Sequence, residues 1–79
     1  MAVYIPIRKV EETPTSVDYA FEDNLGNSGL VRLNKASGDV ELLKALPGTK
    51  AEEYLARVIY KLTKHWEKGE IPDATCWAS

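Results

Sequence analysis

The sequence is poor in the residues that build covalently or metal-stapled domains. It holds one cysteine, Cys76, and one histidine, His65, among 79 residues. One thiol makes no disulfide within the chain, and one Cys with one His falls short of a structural zinc site. No metal is expected, and stability must come from a packed apolar core. No apolar run approaches the ~20 residues of a membrane-spanning helix. The opening residues lack a basic leader, and Pro6 interrupts their apolar run, so they do not read as a signal peptide. A lone thiol suits a reducing compartment, and a cytoplasmic protein without membrane contact is the expectation. The chain also has no Walker A loop, no dinucleotide fingerprint and no Cys or His pair at metal spacing, so no cofactor is expected. Gly26-Asn27-Ser28-Gly29 spells G-x-x-G, but it falls between extended segments and reads as a hairpin turn, not as an RNA clamp between helices.

What is present fits a folded domain. Hydrophobic residues make up 44% and charged residues 28%, with a formal net charge of −2. That is too apolar for a disordered acidic tail, and the length fits one domain over residues 1–79.

Residues 1–46 carry period-two patterns. Val3, Ile5 and Ile7 alternate with Tyr4, Pro6 and Arg8, and Val17, Tyr19 and Phe21 with Asp18, Ala20 and Glu22. Val31 and Leu33 alternate with Leu30 and Arg32, and Val40 and Leu42 with Glu41 and Leu43. Such alternation marks strands with one buried face. Turn residues separate them at Thr13-Pro14-Thr15, Asp23 to Asn27, and Asn34 to Gly38. Asn34 is suited to start a type I turn and Gly38 to supply the positive φ that closes it. Short connections imply an antiparallel meander. Pro6 cannot donate a ladder hydrogen bond, which predicts an edge position or a bulge for the first strand.

After Pro47-Gly48 the period becomes helical over residues 49–68, ending at Gly69. Thr49 and Glu52 have capping-box spacing. Ala51, Tyr54, Leu55, Val58, Ile59, Leu62, His65 and Trp66 fall in one stripe about 140° wide. The expected fold is α+β: a four-stranded antiparallel meander with one C-terminal helix packed on one face, in the order ββββα. Residues 70–79, which carry Ile71, Cys76 and Trp77, are expected to fold back as an ordered tail.

Three groups of residues are candidates for function. Arg57, Lys61, Lys64 and Lys68 lie within about 60° of one another on the helix wheel, an arrangement that fits anion or nucleic-acid contact and equally a solvated helix face. The macrodipole alone favours Lys64 and Lys68 near a helix C-terminus. Residues 1–48 are acidic, which fits either a basic partner or simple solubility. His65 and Cys76 are the only pair from which an imidazole-activated thiol could be built, and no orienting group or oxyanion hole accompanies them. The sheet face opposite the helix carries Tyr4, Leu30 and Leu43, more large apolar residues than a solvated face needs. Trp77 of the tail or a second copy of the chain would cover them, or they are scattered surface apolars left to solvent.

The run Val40-Glu41-Leu42-Leu43 after Ser37-Gly38-Asp39, the helix end His65-Trp66-Glu67-Lys68-Gly69 and the terminal Cys76-Trp77-Ala78-Ser79 together resemble a group of short, uncharacterised bacterial proteins. The resemblance implies a stand-alone bacterial protein and supplies no catalytic residue.

The leading expectation is a small non-enzymatic protein-interaction or regulatory module, with Tyr4, Leu30, Leu43 and Trp77 as its surface and a protein partner or a homodimer as its form. Nucleic-acid or polyanion binding through Arg57, Lys61, Lys64 and Lys68 is the alternative. A thiol-dependent enzyme using Cys76 and His65 is the third reading.

Overall fold

A computed structural model of the chain describes residues 3–78. The period-two segments form β1 (Tyr4–Glu12), β2 (Ser16–Glu22), β3 (Ser28–Asn34) and β4 (Val40–Lys44); α1 (Ala51–Glu67) follows, and the tail supplies β5 (Ala74–Ala78). The five strands make one sheet in the order β4-β3-β2-β1-β5, with every neighbouring pair antiparallel. The expected four-stranded meander is therefore extended by one strand. The described part of the tail, residues 70–78, is ordered, as ladder rather than as a covering loop, and Ser79 lies outside the described residues. The five residues of β5 are small or mixed on both faces, so alternation leaves no strong hydrophobic contrast to read.

This fifth strand also overturns the edge position expected for β1, which lies between β2 and β5. Pro6 is accommodated by parity. The Lys9 N–H donates to Asp73 O at 2.8 Å, so before the bulge the odd-numbered residues of β1 turn their backbone groups toward β5. Pro6 then directs its missing donor toward β2, beyond Ile7↔Phe21, where the β1–β2 register begins. The register shift between Lys9 and Glu11 leaves Val10 as the extra residue of a bulge.

The turns follow their side chains. Asn34 Oδ1 accepts from the N–H groups of Ala36 and Ser37, and Gly38, at φ +80°, returns its N–H to Asn34 O. Asp23 Oδ1 does the same for Leu25 and Asn27.

One sheet face is buried. Ile5, Ile7, Val17, Tyr19, Phe21, Val31 and Leu33 pack with Leu46 against Tyr54, Val58 and Leu62 of α1. The helix begins one residue later than a capping box requires. Lys50 is the N-cap and makes no side-chain capping bond, so Thr49 lies outside the helix and Glu52 sits one position too early. The C-terminus is capped as the Gly69 signal predicts. Gly69 takes φ +74°, its N–H reaches Trp66 O, and the Glu70 N–H reaches His65 O, which is a Schellman closure.

Several contacts fix the start of β5. The Tyr19 hydroxyl donates to Pro72 O at 2.8 Å, and Lys9 Nζ lies 2.9 Å from Asp73 Oδ1. Lys9 also pairs with Glu12, whose other oxygen accepts from Lys35 Nζ at 2.6 Å. These two ammonium groups hold the Glu12 carboxyl down at about 2.

Candidate interaction surface

Among the described residues, α1 covers one face of the sheet and no element covers the other. Alternation places Tyr4, Pro6 and Arg8 of β1 on that outer face, with Ala74, Cys76 and Ala78 of β5 beside them. The four apolar residues expected to form one surface do not meet. Trp77 stands opposite the fully buried Ile5, packs against the core on the helix side, and meets Tyr60 edge-on at 5.7 Å. Leu43 is displaced in the β4 bulge at the far edge, Leu30 lies half-buried between β2 and β4, and Tyr4, 61% exposed, pairs with Ala78 at the opposite border.

The outer apolar residues that do adjoin are Tyr4, Pro6, Cys76 and Ala78, through the pairs Tyr4↔Ala78 and Pro6↔Cys76. Alternation already places Pro6 beside Tyr4, whereas Cys76 and Ala78 go unplaced when the tail is not read as a strand. Its alternation Ala74, Cys76, Ala78 was the available signal. The charges elsewhere on this face are largely satisfied within the chain. Arg32 grips Asp18, its register partner, through Nε at 2.8 Å and Nη2 at 3.1 Å, and Asp18 is buried beneath it. Arg8 lies 3.7 Å from Glu22.

Among the described residues the border strand is also an open edge. Because Asp73 bonds Lys9, the residues of β5 that face β1 are Thr75 and Trp77, and the backbone groups of Ala74, Cys76 and Ala78 point outward. The two edges of the sheet differ. β4 carries Glu41, Lys44 and a bulge, which are ordinary protections against strand addition. β5 carries no charge, no proline and no bulge.

The cationic stripe of α1 flanks this edge. His65 bonds Thr75 of β5, whereas Trp66, about 100° around the helix, donates to Lys35 O on the opposite side. Tyr60 touches Trp77, and Lys64 Nζ lies 5.3 Å from the Tyr60 ring centre. Arg57, Lys61, Lys64 and Lys68 occupy the sector between Tyr60 and His65, on the β5 side. Lys64 is 3.7 Å from Glu67, and among the described residues Arg57, Lys61 and Lys68 make no ion pair. Arg57 donates to its own helix at Glu53 O.

The thiol–imidazole pair is not formed. His65 Nδ1 lies 2.8 Å from Glu70 Oε1 and its Nε2 lies 2.9 Å from Thr75 Oγ1, so both ring nitrogens are engaged on the helix side. The Cys76 side chain projects from the other face of the same strand. Adjacent residues of a strand diverge, and helical spacing alone did not reveal which of the two meets His65. The arrangement ties the end of α1 to β5. The imidazole holds the Glu70 carboxyl below the usual carboxylate range. Among the described residues no three His, Cys, Asp or Glu side chains converge as a metal site, and no helix is long and apolar enough to cross a membrane. Of two clefts, of ≈ 410 and ≈ 400 Å³, one lies beside Arg32 and Asp39 and the other between Leu25 and the start of α1, lined also by Val3.

Comparison with protein-family models, curated proteins and solved structures finds no match to this chain.

Proposed function

We propose that this chain is a small non-enzymatic protein-interaction module that works through the border formed by β1, β5 and the flank of α1. The observation that carries the reading is the unprotected β5 edge, which joins outward backbone groups to the exposed apolar corner at Tyr4 and Ala78. An edge of that kind is a template for an extended segment of another chain. A cytoplasmic setting suits the free, half-buried Cys76 thiol. Polyanion binding is the weaker reading of the stripe, because Glu53 and Glu67 border it and the chain as a whole is acidic.

A random-peptide display selection tests the reading, with the chain as bait and depletion on a Tyr4→Glu/Ala78→Lys variant. The expected outcome is an enriched sequence pattern whose members bind the variant at least about tenfold more weakly, a loss of ~1.4 kcal/mol. Failure to enrich, or binding indifferent to the two substitutions, contradicts it.

A further inference from the structure

We infer that the partner at this border is an acidic segment that adds to β5 as a sixth strand, with its carboxylates turned toward the cationic stripe of α1. This inference rests on the interaction-module reading and names the chemistry of the partner.

Two independent features converge on the same place. The first is the backbone. Ala74, Cys76 and Ala78 direct their N–H and C=O groups away from the sheet, and their small side chains leave room for a neighbouring strand on the outer face. The second is charge. An added strand has one row of side chains on the outer face and one row on the helix side. The helix-side row lies beneath Arg57, Lys61, Lys64 and Lys68, of which three make no ion pair among the described residues. The acids nearest the start of β5 are already engaged, Asp73 with Lys9 and Glu70 with His65. A strand with acidic residues at alternate positions therefore satisfies backbone and charge together.

The same geometry disfavours a second copy at this edge. A two-fold through Cys76 would pair β5 with β5 and bring the two cationic stripes toward each other across the axis. A nucleic acid would meet the cations but has no backbone groups that complete the ladder.

The test uses fluorescence anisotropy with the full chain and a labelled peptide Val-Glu-Val-Glu-Val-Glu-Val, which is extended with all carboxylates on one face. Saturable binding is expected, weakened by about tenfold or more by Lys61→Glu/Lys64→Glu, exposed or half-exposed positions whose substitution spares the core. A Val/Lys peptide should not bind. Two further peptides carry N-methyl groups on all valines or on all glutamates. Only one set faces β5, so one methylated peptide should lose binding and the other keep it. Equal effects of the two, or an oligothymidylate bound more tightly than the peptide, would overturn the inference. So would dimers of the free chain that are held through β5. If display selects peptides without acidic residues that still depend on Tyr4 and Ala78, the module reading stands and the acidic strand is refuted.

Discussion

Replacing Gly38 with alanine tests the packing that seats α1 across the sheet. Gly38 has φ +80°, and a Cβ there would stand 2.6 Å from Trp66 Cε3, 2.7 Å from Cζ3 and 2.8 Å from Cδ2. Two costs add. The left-handed backbone costs a non-glycine residue about 1–2 kcal/mol. Overpacking against the indole, which is held by its Nε1–H bond to Lys35 O, costs about 1–3 kcal/mol more. The stiffer unfolded chain returns about 0.4–1 kcal/mol. The net loss is ~1–5 kcal/mol from a total stability of roughly 4–12 kcal/mol for a chain of this size. Gly26 supplies the control, since its φ is +85° but no atom lies within 4 Å of an added Cβ. Gly26→Ala should therefore show only the backbone cost. Urea unfolding followed by Trp fluorescence measures both. In a Gly38→Ala background, Trp66→Leu should cost less than it does alone, because it also relieves the clash. Equal destabilisation by Gly38→Ala and Gly26→Ala would refute the proposed contact.

Three further outcomes follow from the structure. Glu12 titrates near 2 in the folded chain, below its ordinary 4.5, so the stability it contributes is present above about pH 4.5 and is lost as pH falls toward 2; urea midpoints of Glu12→Gln should fall less over that window than those of the native chain, and parallel curves would contradict the ion network. Burial pushes the Tyr19 phenol up to about 12, so Tyr19→Phe should remove the highest-pH step of the tyrosinate absorbance titration and, through the lost bond to Pro72 O, cost about 0.5–1.5 kcal/mol. His65→Ala removes the ties to Glu70 and Thr75, and amide exchange at Thr75 and Trp77 should accelerate by about tenfold while the amides of β2 and β3 hold their rates.

The strands from Tyr4 to Lys44 were readable because each sets Val, Ile, Leu, Tyr or Phe against polar residues with a clean period, and α1 because Tyr54, Val58 and Leu62 recur on one face. β5 was not, because Ala74 and Cys76 are barely more or less apolar than Thr75, and Trp77 alone carries the contrast. Without β5, Pro6 points to an edge or a bulge and Trp77 or a second copy to cover for the outer face, whereas the bond expected from His65 to the returning tail is made, to Thr75. The cationic stripe was legible from helical spacing, but its position beside an open edge depends on which side of the sheet receives the tail, a tertiary choice that local pattern does not encode.

Site-resolved amide exchange of the chain, free and bound to the Val/Glu peptide, tests the central claim most directly. In the free chain the amides of Thr75 and Trp77 should be protected by β1, and those of Ala74, Cys76 and Ala78 should exchange rapidly. Peptide binding should slow the second set selectively. Protection of Ala74, Cys76 and Ala78 before any partner is added, or their continued rapid exchange in the saturated complex, would contradict the account.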